Sequence, residues 1–252
     1  MADSSFAASL PPDLFDLTTL ISLASTLAIL GTAYTASCYA LPSTAKKSTR
    51  ALFIWHAFDA LIHFFLEGSF LYHCFFSWMP SSSLTLGDIS SGRYYMPHLD
   101  GPYLGHSDRI YGAQAGGDNP FAQLWMVYAR ADKRWAGANL DVISLELLTV
   151  LVMGPLACWV CYDLARGYAR ANVTIVVIAT AEIYGGFMTF CPEWLTGNAN
   201  LDLTNFMYKW VYLVFFNTLW VFIPAYALYV AISDISDAFA VRDAKAKTKK
   251  AK

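Results

Sequence analysis

The chain has 252 residues, of which 56% are hydrophobic and 14% charged, and its formal net charge is −2. Soluble domains carry about 25% charged residues, so this composition excludes an ordinary soluble protein. No basic patch interleaved with aromatic residues occurs outside the C-terminal tail, which argues against nucleic acid as a partner. The apolar residues lie in long blocks, and we therefore expect a single integral membrane domain.

Five apolar blocks reach the length of about 20 residues that a helix needs to cross a bilayer. They are Leu17–Leu41, Ala51–Met79, Leu140–Ala165, Asn172–Cys191 and Tyr208–Ile232. The expected fold class is an all-α integral membrane protein with five transmembrane helices in one bundle. The expected domains are an N-terminal lumenal segment (1–16), the membrane domain (17–233) with its lumenal loop 80–139, and a basic cytosolic tail (234–252).

A long loop, Pro80–Asn139, separates the second and third blocks. Its first part, Pro80–Pro120, is rich in Gly, Ser, Pro and Tyr and lacks helical or strand periodicity, so we predict irregular structure there. Its later part, Phe121–Trp135, is amphipathic, with an apolar face opposite a basic face that includes Arg134. This pattern predicts a helix that lies in the membrane interface.

Lysine and arginine are distributed unevenly over the links between the blocks. The links Pro42–Arg50 and Arg166–Arg170 carry basic residues, whereas Pro192–Met207 carries none. The positive-inside rule then places the C-terminal tail in the cytosol and the N-terminus in the lumen. The end of the tail, KKAK (249–252), resembles a dilysine retrieval signal of the endoplasmic reticulum, and we expect a multi-pass protein of that membrane. An ordinary basic juxtamembrane tail is the alternative.

The second block carries His56, Asp59, His63 and Glu67, four ionisable residues at bilayer depth. Steps of three, four and four residues place them on one stripe of a helix. A charged residue at this depth costs about 2.5 kcal/mol or more on insertion scales, so such residues are functional candidates. A buried His or Asp also often serves only as a polar contact between helices, and this alternative stays open for His56 and Asp59.

The other blocks bring further polar and aromatic groups to a similar depth. They are Glu146 and Thr149 in the third block, Glu182 and Tyr184 in the fourth, and Phe216, Asn217 and Trp220 in the fifth. If these side chains face a common centre, they form an intramembrane polar pocket that holds an acid, a base and aromatic faces able to stabilise a cation. We therefore predict a reaction in which the protein adds a proton to its substrate, stabilises the resulting carbocation and removes another proton.

A metal site is an alternative use of His63, Glu67 and Glu146. A di-iron helix bundle needs a second His–carboxylate pair, and the spans contain no such pair. We accordingly expect neither a metal ion nor an organic cofactor.

Several short motifs occur in a characteristic order along the chain. They are IHFFLEG (62–68), QLWMVYARADKRW (123–135), LELLT (145–149), IYG (183–185) and FFNTLW (215–220). Together with five spans, this set resembles the emopamil-binding protein family, the sterol Δ8–Δ7 isomerases built on the EXPERA domain. The similarity extends from about Ala51 to Ile232.

The resemblance implies catalytic roles for particular residues. His63 and Glu67 match the family's His-x-x-x-Glu pair, which is implicated in proton donation. Glu146 matches the second catalytic acid and Thr149 the threonine one turn later. Asn217 and Trp220 match the amide and indole that line the sterol cavity. The predicted substrate contacts are Asp59, Glu182, Tyr184 and Phe216. The implied reaction adds a proton at C9 and removes one from C7, without a redox cofactor.

The chain departs from the family pattern at two places. The link Pro80–Pro120 is longer, and in the fourth block Glu182 replaces an expected Gln while Gly186 replaces an expected acid. Two alternatives therefore stay open: a terpenoid isomerase or cyclase with the same pocket, and a non-catalytic protein that binds sterols or amines. The expected partners are a sterol or terpenoid substrate and membrane lipid, and a homodimer is compatible with the sequence.

Overall fold

A computed structural model describes residues 16–98 and 101–250. Most of the predicted N-terminal segment (1–15) and residues 251–252 of the dilysine-like end lie outside the described residues. Five helices in the described part are long and apolar enough to cross a membrane. They are span 1 (Leu17–Ala40), span 2 (Lys47–Phe76), span 3 (Leu140–Arg166), span 4 (Ala171–Leu195) and span 5 (Met207–Lys250). The prediction of an all-α membrane bundle with five spans is confirmed.

The spans pack through small buried residues. Span 2 contacts spans 1 and 3, span 3 contacts span 4, and span 4 lies along span 5. Ala157, Ala179 and Ala227, none of which is exposed, share one core cluster at these contacts. Small side chains let helix backbones approach closely, which is how helices associate when burial from water cannot drive them together. The helix of span 5 does not end with its apolar block but continues through the basic tail to Lys250.

Three spans contain a π-helical segment, in which backbone hydrogen bonds join residues five apart instead of four. The segments are Ile62–Glu67 in span 2, Thr149–Met153 in span 3 and Met207–Phe216 in span 5. Such segments are rare and frequently lie at functional sites. His63, Glu67 and Thr149 lie within the first two segments, and Asn217 directly follows the third. The unusual backbone of the bundle therefore coincides with the candidate site residues.

Short regular elements interrupt the link between spans 2 and 3, so the prediction of irregular structure holds for most of the described part of Pro80–Pro120 but misses these elements. Strands Trp78–Pro80 and Arg109–Tyr111 pair antiparallel, and the Arg109 guanidinium lies 4.0 Å above the Trp78 ring. Short helical turns follow at Ser81–Ser83, Leu86–Ser90 and Ala113–Ala115. The sequence pattern does not reveal these elements, because three-residue strands are too short to show a period and a cation–π contact leaves no period at all.

The amphipathic segment forms a shorter helix than its pattern predicts. The helix Pro120–Tyr128 begins at Asn119, whose side chain accepts hydrogen bonds from two backbone amides, and a 3₁₀ turn follows at Lys133–Trp135. Arg134 does not lie on an outward basic face, because its side chain is only 3% exposed. The prediction of an amphipathic helix over Phe121–Trp135 is therefore wrong after Tyr128, where the α-helix ends.

Arg134 lies between two buried carboxylates, and we call this group the Arg134 cluster. Its Nη2 is 2.6 Å from Asp132 Oδ2, its Nε is 3.6 Å from Glu193 Oε1, and its Nη1 donates to the Thr189 carbonyl at 2.7 Å. Glu193 also accepts from the backbone and side chain of Asn200 at 3.0 and 2.8 Å. The cluster thus joins the long loop to the end of span 4 and to the link that follows it.

Replacing Arg134 by Leu is expected to destabilise the protein by about 3 kcal/mol, because two carboxylates then stay buried without a counter-charge. Arg134→Lys should recover only part of this loss, since an ammonium group cannot make the forked contact of a guanidinium. Thermal unfolding in detergent measures both effects. The exposed neighbour Lys133 provides the matched control, and Lys133→Met should change stability by less than about 0.5 kcal/mol. Equal stability of Arg134→Leu and this control would contradict the assignment.

Candidate active site

His63 lies on the π-helical segment of span 2, with a carboxyl group beside each nitrogen of its ring. Its Nδ1 is 2.5 Å from Glu67 Oε2, and its Nε2 is 3.1 Å from Asp59 Oδ2. The second pair is close enough for an ion pair but is poorly aligned for a hydrogen bond. His63 is 2% exposed and Asp59 is fully buried. An imidazole in this position can take up a proton on one side and release one on the other.

The Thr149 hydroxyl joins span 2 to span 3. Its Oγ1 is 2.8 Å from Glu67 Oε2 and 2.9 Å from Glu146 Oε2. A hydroxyl carries one hydrogen, so Thr149 can donate to only one of these oxygens. For both contacts to be hydrogen bonds, one carboxyl group must hold a proton and donate it to Oγ1. The geometry therefore allows Glu67 and Glu146 to share a proton through Oγ1.

Trp220 of span 5 lies at the other end of this arrangement. Its indole Nε1 donates to Asp59 Oδ1 at 2.9 Å. Its ring lies 5.4 Å from that of Trp55 and 6.1 Å from that of Phe58, measured between centroids. Aromatic faces attract cations, so the carboxylates and these rings together favour positive charge. We call the whole connected set the acid–imidazole chain. Its members are Trp220, Asp59, His63, Glu67, Thr149 and Glu146.

Asn217 lies apart from the acid–imidazole chain. Its amide donates to the Tyr128 hydroxyl at 3.1 Å and to the carbonyls of Tyr212 and Leu213 at 2.9 and 3.0 Å. Burial raises the pKa of the Tyr128 phenol, which keeps this group neutral. Asn217 thus ties the π-helical segment of span 5 to the helix Pro120–Tyr128. Sequence reasoning missed Tyr128, although its place on the apolar face of the amphipathic segment was a signal that it points inward.

The other residues predicted to contact substrate are placed differently from one another. Glu182 is 9% exposed and interacts with Asp59 from span 4, whereas Tyr184 is 63% exposed on the outer surface of the bundle. Phe216 is half-buried and packs against Tyr212. His56 is fully buried, and its Nδ1 lies 2.7 Å from the Leu52 carbonyl, so it hydrogen-bonds within its own helix.

No group of three potential metal ligands is assembled within the described ranges, 16–98 and 101–250.

Gly154 lets spans 2 and 3 approach each other at the site. A methyl group added there would lie 3.0 Å from the Phe64 ring and 3.4 Å from His63 Cβ. Gly154→Val should therefore push the two helices apart and destabilise the protein by about 1–3 kcal/mol, measured by thermal unfolding. Gly31→Val in span 1 is the control, since no atom lies within 4 Å of a Cβ at that position. Similar losses in both variants would show that the contact with span 2 is not the cause.

Residues 120–231 match the sequence profile of EXPERA, the expanded EBP superfamily. This stretch contains Glu146, Thr149, Asn217 and Trp220, and His63 and Glu67 precede it. The family match therefore covers spans 3 and 4 and the apolar part of span 5, whereas span 2 lies outside it.

Curated relatives extend the comparison. The chain is 31% identical over 137 residues to the 3-beta-hydroxysteroid-Delta(8),Delta(7)-isomerase of Cavia porcellus, which is 54% of this chain and 60% of the relative. It is 31% identical over 124 residues to the Mus musculus protein of the same name, or 49% of this chain and 54% of the relative. It is 24% identical over 212 residues to isomeliandiol synthase of Melia azedarach, which is 83% of this chain and 80% of the relative. The chain spans little more than half the length of the two isomerases. Over residues 120–231, a little under half of its length, this chain is similar to the EXPERA family.

Proposed function

We propose that this protein is an intramembrane isomerase of sterol biosynthesis that moves a sterol double bond from C8–C9 to C7–C8. The observation that carries the proposal is the acid–imidazole chain, a connected set of proton-exchanging groups inside an apolar helix bundle. The isomerases among the relatives support it. A double-bond shift needs an acid at one carbon and a base at another, and it needs no electron acceptor.

In the first step of the proposed reaction, the His63–Glu67 pair donates a proton to C9. The electrons of the C8–C9 double bond form the new C9–H bond, and a carbocation remains at C8. The ring of Trp220 and the nearby carboxylates stabilise this positive charge. The surrounding apolar spans keep out water, which would otherwise add to the cation.

In the second step, Glu146 takes a proton from C7. The electrons of the broken C7–H bond form the C7–C8 double bond and neutralise the carbocation. One proton enters the sterol and one leaves it, so the protein ends each turnover with its proton on Glu146 instead of on the donating pair. The Thr149 hydroxyl lies within hydrogen-bonding distance of both carboxyl groups and provides the route for its return.

We also propose that the protein is located in the endoplasmic reticulum membrane with residues 1–16 in the lumen and residues 234–252 in the cytosol. The membrane domain, 17–233, would then carry the site. The distribution of basic residues over the links supports this orientation. Protease protection of epitope tags at either end, in intact microsomes, tests it. A C-terminal tag shielded from protease in intact microsomes would contradict the orientation.

Expression in cells that lack Δ8–Δ7 isomerase, followed by sterol profiling, tests the proposed activity. Conversion of Δ8-sterols to Δ7-sterols is the expected result. The Glu146→Gln variant, expressed at the same level, is the negative control. Continued accumulation of Δ8-sterols in the presence of folded wild-type protein would count against the proposal.

A terpenoid isomerase or cyclase is the second candidate function. The observation that favours it is the extent of similarity, because the match to isomeliandiol synthase covers 83% of this chain against 54% for the Cavia porcellus isomerase. The same acid–imidazole chain would protonate a triterpenoid double bond. Incubation of microsomes with a Δ7- or Δ8-triterpenoid, with product analysis by mass spectrometry, separates this candidate from the first.

A further inference from the structure

Buried polar atoms without a hydrogen-bond partner are concentrated at one end of the acid–imidazole chain. Among the described residues they include Trp55 Nε1, His56 Nε2 and both carboxyl oxygens of Glu182. Buried polar groups are normally paired, and leaving one unpaired costs about 1–3 kcal/mol. A concentration of such atoms indicates a place for a polar group that the chain itself does not supply.

Glu182 is the centre of this group. It approaches Asp59 and the Trp55 indole closely enough to interact with both but forms no well-aligned hydrogen bond to either, and it is 9% exposed. The proposed reaction assigns proton transfer to His63, Glu67 and Glu146, so it leaves Glu182 without a role. A second carboxyl group beside Asp59 in an apolar bundle is unfavourable unless it serves a purpose or meets a partner.

The unpaired atoms include both a donor and acceptors. The Trp55 indole N–H can only donate, whereas the Glu182 oxygens can accept. His56 has Nδ1 2.7 Å from the Leu52 carbonyl, which places the hydrogen on Nδ1 and leaves Nε2 as an acceptor. A hydroxyl group donates one hydrogen bond and accepts another, so it satisfies one atom of each kind. A ketone would leave the acceptors unpaired, and an ammonium group would leave the indole unpaired.

The spacing along span 2 fits a sterol hydroxyl. Asp59, which Glu182 approaches, precedes His63 by four residues, or roughly 6 Å along a helix. Bonds of about 1.5 Å across two fused six-membered rings place an oxygen on C3 roughly 6 Å from C7, C8 and C9. A hydroxyl bound at Glu182 therefore brings the reacting carbons to the level of His63.

We propose that Glu182 and Trp55 bind the 3-hydroxyl group of the sterol, which donates to a Glu182 oxygen and accepts from Trp55 Nε1. This inference rests on the proposed isomerase function and adds the orientation of the substrate. The sterol would lie with its hydroxyl toward the Lys47 end of span 2 and its double bond beside Glu67. Because Glu182 contacts the substrate and not the reacting carbons, it would set substrate preference and leave the chemical step unaltered.

Kinetics with a 3β-hydroxy Δ8-sterol and its 3-deoxy analogue test this proposal. The wild-type protein should prefer the hydroxy sterol by about 100-fold in kcat/KM, because the analogue leaves buried polar groups unpaired. Glu182→Leu should lower kcat/KM for the hydroxy sterol by on the order of 100-fold, to the level of the analogue. The same variant should convert the 3-deoxy analogue as well as the wild type does. Val177→Ala, at a position of the same span that is 49% exposed, is the matched control and should not change either value.

Two further variants keep the test decisive if Glu182→Leu does not fold. Glu182→Gln keeps the size and a hydrogen-bonding oxygen, so it should retain kcat/KM for the hydroxy sterol within about tenfold of wild type. Trp55→Phe removes only the donor and should reduce the preference for the hydroxy sterol. Equal losses on both substrates in these variants, or a wild-type protein without a preference, would overturn the hydroxyl site. A wild-type protein that isomerises neither sterol would instead overturn the proposed function.

Discussion

Replacing Glu146 by Gln is expected to lower isomerase turnover by about a thousandfold or more while the protein stays folded. Gln keeps the size of the side chain and can still hydrogen-bond to the Thr149 hydroxyl, so the contact between spans 2 and 3 persists. It cannot accept a proton from C7, and it cannot share one with Glu67. Single-turnover conversion of a Δ8-sterol in detergent, together with thermal unfolding, measures both parts of this expectation.

Asp141 supplies the matched control for this experiment, since it lies in the same span but is exposed. Asp141→Asn should keep both turnover and stability. Retention of more than about a tenth of the activity by Glu146→Gln would exclude Glu146 as the base. The same pair of proteins addresses the non-catalytic alternative, because a protein that only binds sterols or amines would bind its ligand without turnover in the wild type.

Replacing His63 by Leu is expected to abolish turnover and also to destabilise the protein by about 3 kcal/mol. The imidazole is the group that separates the carboxyl groups of Asp59 and Glu67, 3.1 and 2.5 Å from its two nitrogens. Without it, two acids of one helix face each other in an apolar bundle. Thermal unfolding in detergent measures the loss of stability, and sterol conversion measures the loss of turnover.

A triple variant separates the two effects of the His63 substitution. Adding Asp59→Asn and Glu67→Gln to His63→Leu removes the unpaired acids, so it should recover much of the stability while turnover stays absent. His106→Leu in the long loop, where the side chain is 39% exposed, is the control and should leave both quantities unchanged. A His63→Leu protein as stable as wild type would show that the carboxyl groups do not depend on the imidazole.

The stripe of span 2 shows how far the sequence alone can specify the site. A spacing of four residues predicts that His63 meets Glu67, and the same rule applied backwards predicts its contact with Asp59. The partners on other spans follow only from the assumption that polar groups face one centre. This assumption holds for Glu146, Thr149 and Trp220. For Tyr184 the sequence itself argues against this assumption. Glu182 lies two residues earlier, and residues two apart point to roughly opposite sides of a helix.

Other features of the site could not be read from periodicity. The π-helical segment Ile62–Glu67 changes the backbone hydrogen bonds without any proline or glycine inside it to signal the change. Arg134 lies in a basic run typical of a solvated face, and only its tertiary partners Asp132 and Glu193 explain its burial. Long-range pairs of this kind depend on how distant segments meet, which local pattern does not encode.

The pairing of His63 with Asp59 and Glu67 has a consequence for the order in which the membrane domain is made. All three residues belong to one helix, so their contacts can form as soon as span 2 is synthesised, before Glu146 exists. Inserting an isolated acidic residue at the centre of a bilayer costs about 2.5–3.5 kcal/mol, and pairing within the helix reduces that cost. Span 2 therefore enters the membrane with an imidazole partner for its acids. Span 3, arriving later, adds Glu146 to a set of polar groups that is already in place.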